Sequence, residues 1–185
     1  MTDLTGVRFR TASTEDAAPL AALHADSWRR NYRGAFSNSF LDGDLDTNRI
    51  AVWTERLREP DPRCLTILGE ERGRLIGFAH TIFDEDSTWG ALLDNLHVAF
   101  AYQRRGVASE LLAITAPSVI ERKTGLYLWV LEQNLAAQAF YRTCGAKEVG
   151  IARTEPPGGL PGRLNGSPGK LRYAWPDPSV LLASV

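Results

Sequence analysis

The chain has 185 residues, 44% hydrophobic and 23% charged, enough for one domain with its own core. Its 21 Lys and Arg against 22 Asp and Glu leave a net charge of −1. No basic face is available to neutralise phosphates, which excludes nucleic acid as a primary partner. No apolar run reaches the ~18 residues of a membrane-spanning helix, and the first ten residues lack the apolar region of a secretory signal. His24, His80 and His97 are scattered and Cys64 and Cys144 are far apart, so no metal site is expected and the cysteines read as reduced thiols of a cytoplasmic protein.

Val7–Thr11 alternates and reads as an opening strand. Thr14-Glu-Asp16 reads as a helix start capped by Asp16, with Pro19 in the first turn, where its missing N–H costs little. Leu20, Leu23 and Trp28 give that helix an apolar face through about Asn31. A polar loop is expected from Ser37 to Asp46, then a second helix carrying Ile50, Trp53 and Leu57 and stopped by Pro60 and Pro62. Arg63–Gly69 and Arg74–Phe83 read as an antiparallel pair, and Ala91–Val98 as a third strand after the acidic turn Asp84–Thr88. A helix follows from about Arg105 to Lys123, in which Pro117 should kink or break the geometry. Leu126–Leu131 is nearly continuous in apolar residues, as suits a central strand buried on both faces. Asn134 opens a helix that Gly145 ends, Ala146–Ala152 is a strand, Thr154–Gly169 is a Pro/Gly-rich loop, and Lys170–Trp175 is the last strand. The tail after Pro176 is expected to be weakly ordered. Early paired strands followed by a βαβ unit imply one mixed α/β sheet in a single domain over residues 1–185.

Two strand–turn–helix segments carry the chemistry. In the first, Gln103-Arg-Arg-Gly106-Val-Ala108 opens a helix. Free amides and the positive end of the helix dipole attract a phosphate there, Gly106 lets the backbone approach it, and Arg104 and Arg105 add charge. The pattern is neither GxGxxG nor GxxxxGK[ST], which argues against dinucleotide or nucleoside-triphosphate binding. In the second, Asn134 sits where its side chain caps a helix, and Tyr141 follows two turns later on the same face.

Together and in this order, the two segments resemble the GNAT acetyltransferase superfamily, most strongly over Leu93–Leu112 and Leu128–Gly145. The resemblance implies a mostly antiparallel sheet of about seven strands with about four helices, split between the fourth and fifth strands, Leu92–Val98 and Leu126–Leu131. It implies acetyl-CoA as the acyl donor, lying in the split. The backbone of Leu96, His97 and Val98 would pair with the pantetheine arm. The amides of Arg104, Arg105, Gly106, Val107, Ala108 and Ser109, beginning after Gln103, would hold the pyrophosphate, and Asn134 would bind the arm from the other side. Tyr141 would stand near the sulfur and protonate the departing thiolate, and the Val98 amide would meet the oxyanion. Ser27-Trp28-Arg-Arg-Asn-Tyr32-Arg-Gly34 resembles a Trp-x3-Tyr-x-Gly pattern of bacterial members and places Trp28 and Tyr32, with Trp53 nearby, on the acceptor side.

The function implied is transfer of an acetyl group to a primary amine by direct attack in a ternary complex. The acceptor would be a small molecule or a protein amine; a non-catalytic acyl-CoA sensor or assembly module is the alternative. Trp129 stands where N-terminal acetyltransferases tend to carry a glutamate, which argues against that activity. Candidates for the general base are Glu132, Asp94, His97 and a water chain, of which Asp94 and Glu132 are chosen; on a regular strand Asp94 and Leu96 share a face and His97 points the other way, and Glu132 faces the split only if the turn after the strand curls inward. Asp42, Asp44 and Asp46 could form an acidic pocket for a cationic amine. The last strand could mediate a homodimer, as is common among relatives.

Overall fold

The alternating segments become strands of one sheet. In the computed structural model, which describes residues 4–183, these are β1 (Val7–Thr11), β2 (Cys64–Glu71), β3 (Arg74–Asp86), β4 (Gly90–Val98), β5 (Leu126–Leu131), β6 (Lys147–Arg153) and β7 (Gly169–Trp175). Their order across the sheet is β1-β2-β3-β4-β5-β7-β6. Every neighbouring pair is antiparallel except β4 and β5, which are parallel because a helical crossover joins them. The expected seven-stranded α/β sheet is therefore present, flanked by α1 (Ala17–Asn31), α2 (Leu45–Arg58), α3 (Val107–Glu121) and α4 (Leu135–Thr143). No helix among the described residues is long and apolar enough to cross a membrane.

The two faces of the sheet bury different helices. On one, Val107, Leu111, Leu112 and Ala116 of α3 pack on Ile76, Ala79, Leu93 and Leu128, with Tyr141 and Cys144 of the α4 region in the same cluster. On the other, Leu20 and Ala21 of α1 and Trp53 of α2 pack on Leu68 and Phe78. Each fully buried leucine here contributes roughly 1.5–3 kcal/mol through removal from water.

Several local expectations change. Asp16 stands at the N-cap of α1 as expected, but its side chain makes no cap bond to that helix, and Ser13 caps the 3-10 turn before it. Asp16 answers as the other half of a capping box, its carboxylate accepting from the Ser13 amide (2.7 Å) and from Arg10 (2.7 Å). The segment expected as a polar loop from Ser37 to Asp46 is helical, with a π-helical stretch Phe40–Asp44 running into α2. Phe40 and Leu45 would lie ~140° apart on an ordinary α-helix, and the wider turn brings both into a cluster with Phe36 and Leu131. Pro117 sits on the exposed side of α3 without ending it. The tail expected to be weakly ordered forms a 3-10 helix, Pro178–Ala183, because Leu181 finds a buried place in the main core; residues 184 and 185 lie outside the described residues. The last strand, β7, is enclosed between β5 and β6, so it has no free edge through which a second copy could pair.

Candidate active site

β4 and β5 pair only at Ala91–Leu126 and Leu92–Tyr127 and then part. Between the separated ends, Leu93–Val98 on one side and Leu128–Val130 on the other line a cavity of about 710 Å³. The Ala99 amide donates back to Ile76 of β3 (2.8 Å). Strand alternation therefore turns the amides of Leu96 and Val98 toward the opposite edge, into the gap. An extended ligand can add there as a strand would.

At one end of this cavity lies the N-terminus of α3. Gly106 adopts φ +89°, a left-handed conformation that glycine takes without a Cβ penalty, and turns the chain into the helix. Glu110 is the first residue whose amide bonds within the helix, to the Gly106 carbonyl (3.0 Å). The amides of Val107, Ala108 and Ser109 therefore have no helical acceptor. Gln103, Arg104, Gly106, Val107, Ala108 and Ser109 line the cavity. Arg105 does not: Glu71 draws its guanidinium away (3.0 Å), over the Tyr102 ring. This donor set of amides at a helix N-terminus, with Arg104 beside it, fits a diphosphate.

On the other wall, the Asn134 side chain caps α4 by accepting from the Ala137 amide (3.2 Å). Tyr141, two turns along, faces the same cavity. Its ring packs against Tyr173 and Trp175. Burial first, then Tyr32 and Cys144, push its phenol above the ordinary tyrosine range, so it keeps its proton.

A second cavity, about 280 Å³, opens beside the first and shares Tyr32, Asp94, Asn95, His97, Trp129 and Val130 with it. Tyr32 is placed by the end of α1. Its amide donates to the Trp28 carbonyl (2.9 Å), its ring stacks on Trp28, and Gly34 (φ +92°) turns the chain so that Gln133 can donate to the Arg33 carbonyl (2.7 Å). Trp28 lines the second cavity with Phe36, Arg49 and Arg56.

A bulge decides the geometry of β4. His80 pairs with Asn95 and Thr81 with Leu93, which leaves Asp94 as the extra residue. The expectation that Asp94 and Leu96 share a face, opposite His97, therefore fails. Asp94 and His97 both reach the second cavity, while Leu96 packs into the α3 core. His97 Nδ1 bonds the Ser27 hydroxyl (2.8 Å), and burial lowers its pKa to about 4. Asp94 Oδ2 forms an ion pair with Arg56 (2.7 Å) and accepts from Asn95 (2.5 Å).

The other expected carboxylates lie elsewhere. Glu132 is exposed and lines neither cavity. Its amide bonds the Gly169 carbonyl (3.0 Å), so the turn follows β7 rather than curling inward, and its carboxylate fills the space where a Cβ on Gly169 would go. Asp42 and Asp46 are exposed and paired with Arg33 and Arg29, and neither they nor Asp44 line either cavity, so the acidic pocket is not formed there. The site residues that sequence reasoning missed are His24, Arg49 and Arg56. One signal was available: Arg49, Trp53 and Arg56 recur at i, i+4 and i+7, which puts two arginines on the inward stripe of α2.

Comparison with known proteins agrees with this geometry. Residues 25–146 match the acetyltransferase (GNAT) family. The chain is 25% identical to the uncharacterised N-acetyltransferase YuaI of Bacillus subtilis, over 95% of this chain and 96% of that one. It is 29% identical to a probable N-acetyltransferase of Mycobacterium tuberculosis, over 73% and 76%. Its fold is similar to that of the PaiA N-acetyltransferase of Thermoplasma acidophilum solved with coenzyme A (TM-score 0.67, 19% identity, 91% of this chain and 99% of that one).

Proposed function

Since the chain belongs to the acetyltransferase (GNAT) family, whose acyltransferases use acetyl-CoA, we propose that it acetylates a primary amine by direct attack within a ternary complex. One observation carries this reading: β4 and β5 part after Leu92 and Tyr127, and the gap opens through Tyr32, Asp94 and His97 into a second cavity where an acceptor can sit.

When bound, acetyl-CoA supplies an acetyl group activated as a thioester. The amides from Gly106 to Ser109 receive the diphosphate, with Arg104 beside them. The Leu96 and Val98 amides pair with the pantetheine arm, and Asn134 approaches it from the other wall. The Val98 N–H also faces the thioester oxygen as negative charge builds on it. A neutral amine entering from the second cavity forms the new C–N bond and the C–S bond breaks. Tyr141 gives its proton to the leaving sulfur, and Asp94 at the junction takes the proton shed by nitrogen. Neither residue is acylated, and proton exchange with solvent resets both. Glu132 has no part, because its carboxylate is turned toward Gly169.

The test is free-thiol release from acetyl-CoA across a panel of amines, with the product identified by mass as the amine plus one acetyl group. Release that depends on both substrates supports the reading. Tight binding of acetyl-CoA with no amine accelerating thiol release above hydrolysis would instead support a sensor or assembly role.

A further inference from the structure

Resting on the transfer reading above, we infer that the acceptor is a small amine carrying an anionic group, a carboxylate or phosphonate, at the end away from its reacting nitrogen, and that Arg49 and Arg56 receive that group.

The second cavity is shared with the donor cavity on one side only. Arg49, Arg56, His24, Trp28 and Phe36 line the second cavity and not the first. A molecule whose nitrogen reaches the junction at Tyr32 and His97 therefore extends its other end toward the wall of Arg49 and Arg56, Arg56 standing beside the junction through its ion pair with Asp94 (2.7 Å).

The charges there do not balance. Arg49 is 7% exposed and makes no ion pair among the described residues. Among the described residues its guanidinium hydrogen-bonds only the neutral Asn48 side chain (3.1 and 2.5 Å), and it lies over the Trp28 ring at 4.2 Å. Desolvation, followed by the neighbouring charge of Arg56, lowers its pKa to about 10, the mark of a buried cation short of a partner. Arg56 has Asp94 on one nitrogen (2.7 Å), but its Nη1 is buried and unpaired. His24, 1% exposed, accepts from the Trp53 indole through Nδ1 (3.0 Å), which fixes its proton on Nε2, and that donor is unpaired too. Lys170 adds a third positive charge over Trp129. Of the two carboxylates in the lining, Asp94 is engaged by Arg56 and Asn95, and Glu155 is exposed.

A wall rich in donors with one unanswered buried cation is complementary to an anion. Trp28, Tyr32, Phe36 and Trp129 supply apolar contact for the hydrocarbon between the two ends. The same positive field disfavours an ammonium at the junction and so favours the neutral, attacking form of the amine. A lysine side chain or a polyamine would bring no negative charge to this wall.

The experiment titrates the coenzyme A complex calorimetrically with free α- and ω-amino acids, with their carboxamides and with 2-aminoethylphosphonate, and assays the same compounds for thiol release from acetyl-CoA. At least one anionic member is expected to bind at least about tenfold more tightly than its neutral amide. Arg49→Gln is expected to erase that preference and Arg49→Lys to restore part of it, with coenzyme A affinity reporting that both variants are folded. Equal binding of acids and amides, no binding of any anionic member, or a preference that survives Arg49→Gln overturns the inference. Thiol release from amides as fast as from acids would overturn it while leaving the transfer reading intact, as would acids that bind but release no thiol while an amide does; thiol release from no amine at all would overturn the transfer reading and the inference with it.

Discussion

The cavity proposed for the donor and the one proposed for the acceptor meet at Tyr32, Asp94 and His97, yet they are made of different material. The donor wall is largely main chain: the amides of Leu96 and Val98 along a parted strand edge and those of the first turn of α3. The acceptor wall is side chain: two arginines of α2, His24 and Trp28 of α1, and an aspartate pushed out by a bulge. A wall of amides needs only a strand end, a glycine and a helix start, and it suits one invariant ligand. A wall of side chains is set by which residues a helix presents, and it can be rewritten without disturbing the sheet.

That contrast can be broken or sharpened by experiment. The largest effect is expected where the two halves work on the same bond. Tyr141→Phe removes the proposed acid and nothing proposed to hold the donor, so kcat should fall by about 10²–10³-fold while the Kd for acetyl-CoA stays within about threefold. Steady-state kinetics beside calorimetry measures both, and an unchanged kcat would remove Tyr141 from the chemistry.

Acid should act mainly through the acceptor side, where the histidines are. Burial lowers His97 and His80 to about 4 and His24 well below its ordinary value. The unfolded chain, with ordinary values near ~6.5, binds protons that the folded chain refuses. Stability is therefore full above about 6.5 and is lost as pH falls toward 4, by about 1.4 kcal/mol per pH unit for each histidine. Chemical denaturation across that window should show the decline, and His97→Gln should reduce its slope by about a third, His24 and His80 supplying the rest. Stability that is level over the window would contradict the burial of these rings.

On the donor side, Gly106→Ala forces a Cβ into a left-handed backbone at a cost of about 1–2 kcal/mol, and coenzyme A affinity should drop about tenfold. Unchanged affinity would detach the α3 N-terminus from the ligand. The smallest effect is expected at Asn134→Ala, where loss of the α4 cap costs about 1 kcal/mol of stability, visible as a lower unfolding midpoint.

What could be read in advance follows the same division. Order and type of nearly every strand and helix were legible, because alternation and capping residues are local. So were Gly106, Asn134 and Tyr141, because each sits in a fixed strand–turn–helix frame. The bulge was not: Asp94 breaks the two-residue period without any glycine or proline to mark it, and that single insertion puts Asp94 beside His97. Nor was the π-helical stretch, whose apolar residues Phe40 and Leu45 fall off the ordinary helical stripe. Nor was Arg49, which is covered by the Trp28 ring of another helix. Glu132 looked available until the Gly169 backbone set the direction of its turn. In each case the deciding contact lies far away in the chain.

The claim on which both halves depend is that the parted ends of β4 and β5 form the seat of the donor. Backbone amide NMR during titration with coenzyme A tests it most directly. The account predicts large shifts at Leu96, Val98 and Gly106 to Ser109, with little change along β1 and β2. Shifts confined to residues outside the gap, or none at Leu96 and Val98 at saturation, would contradict it.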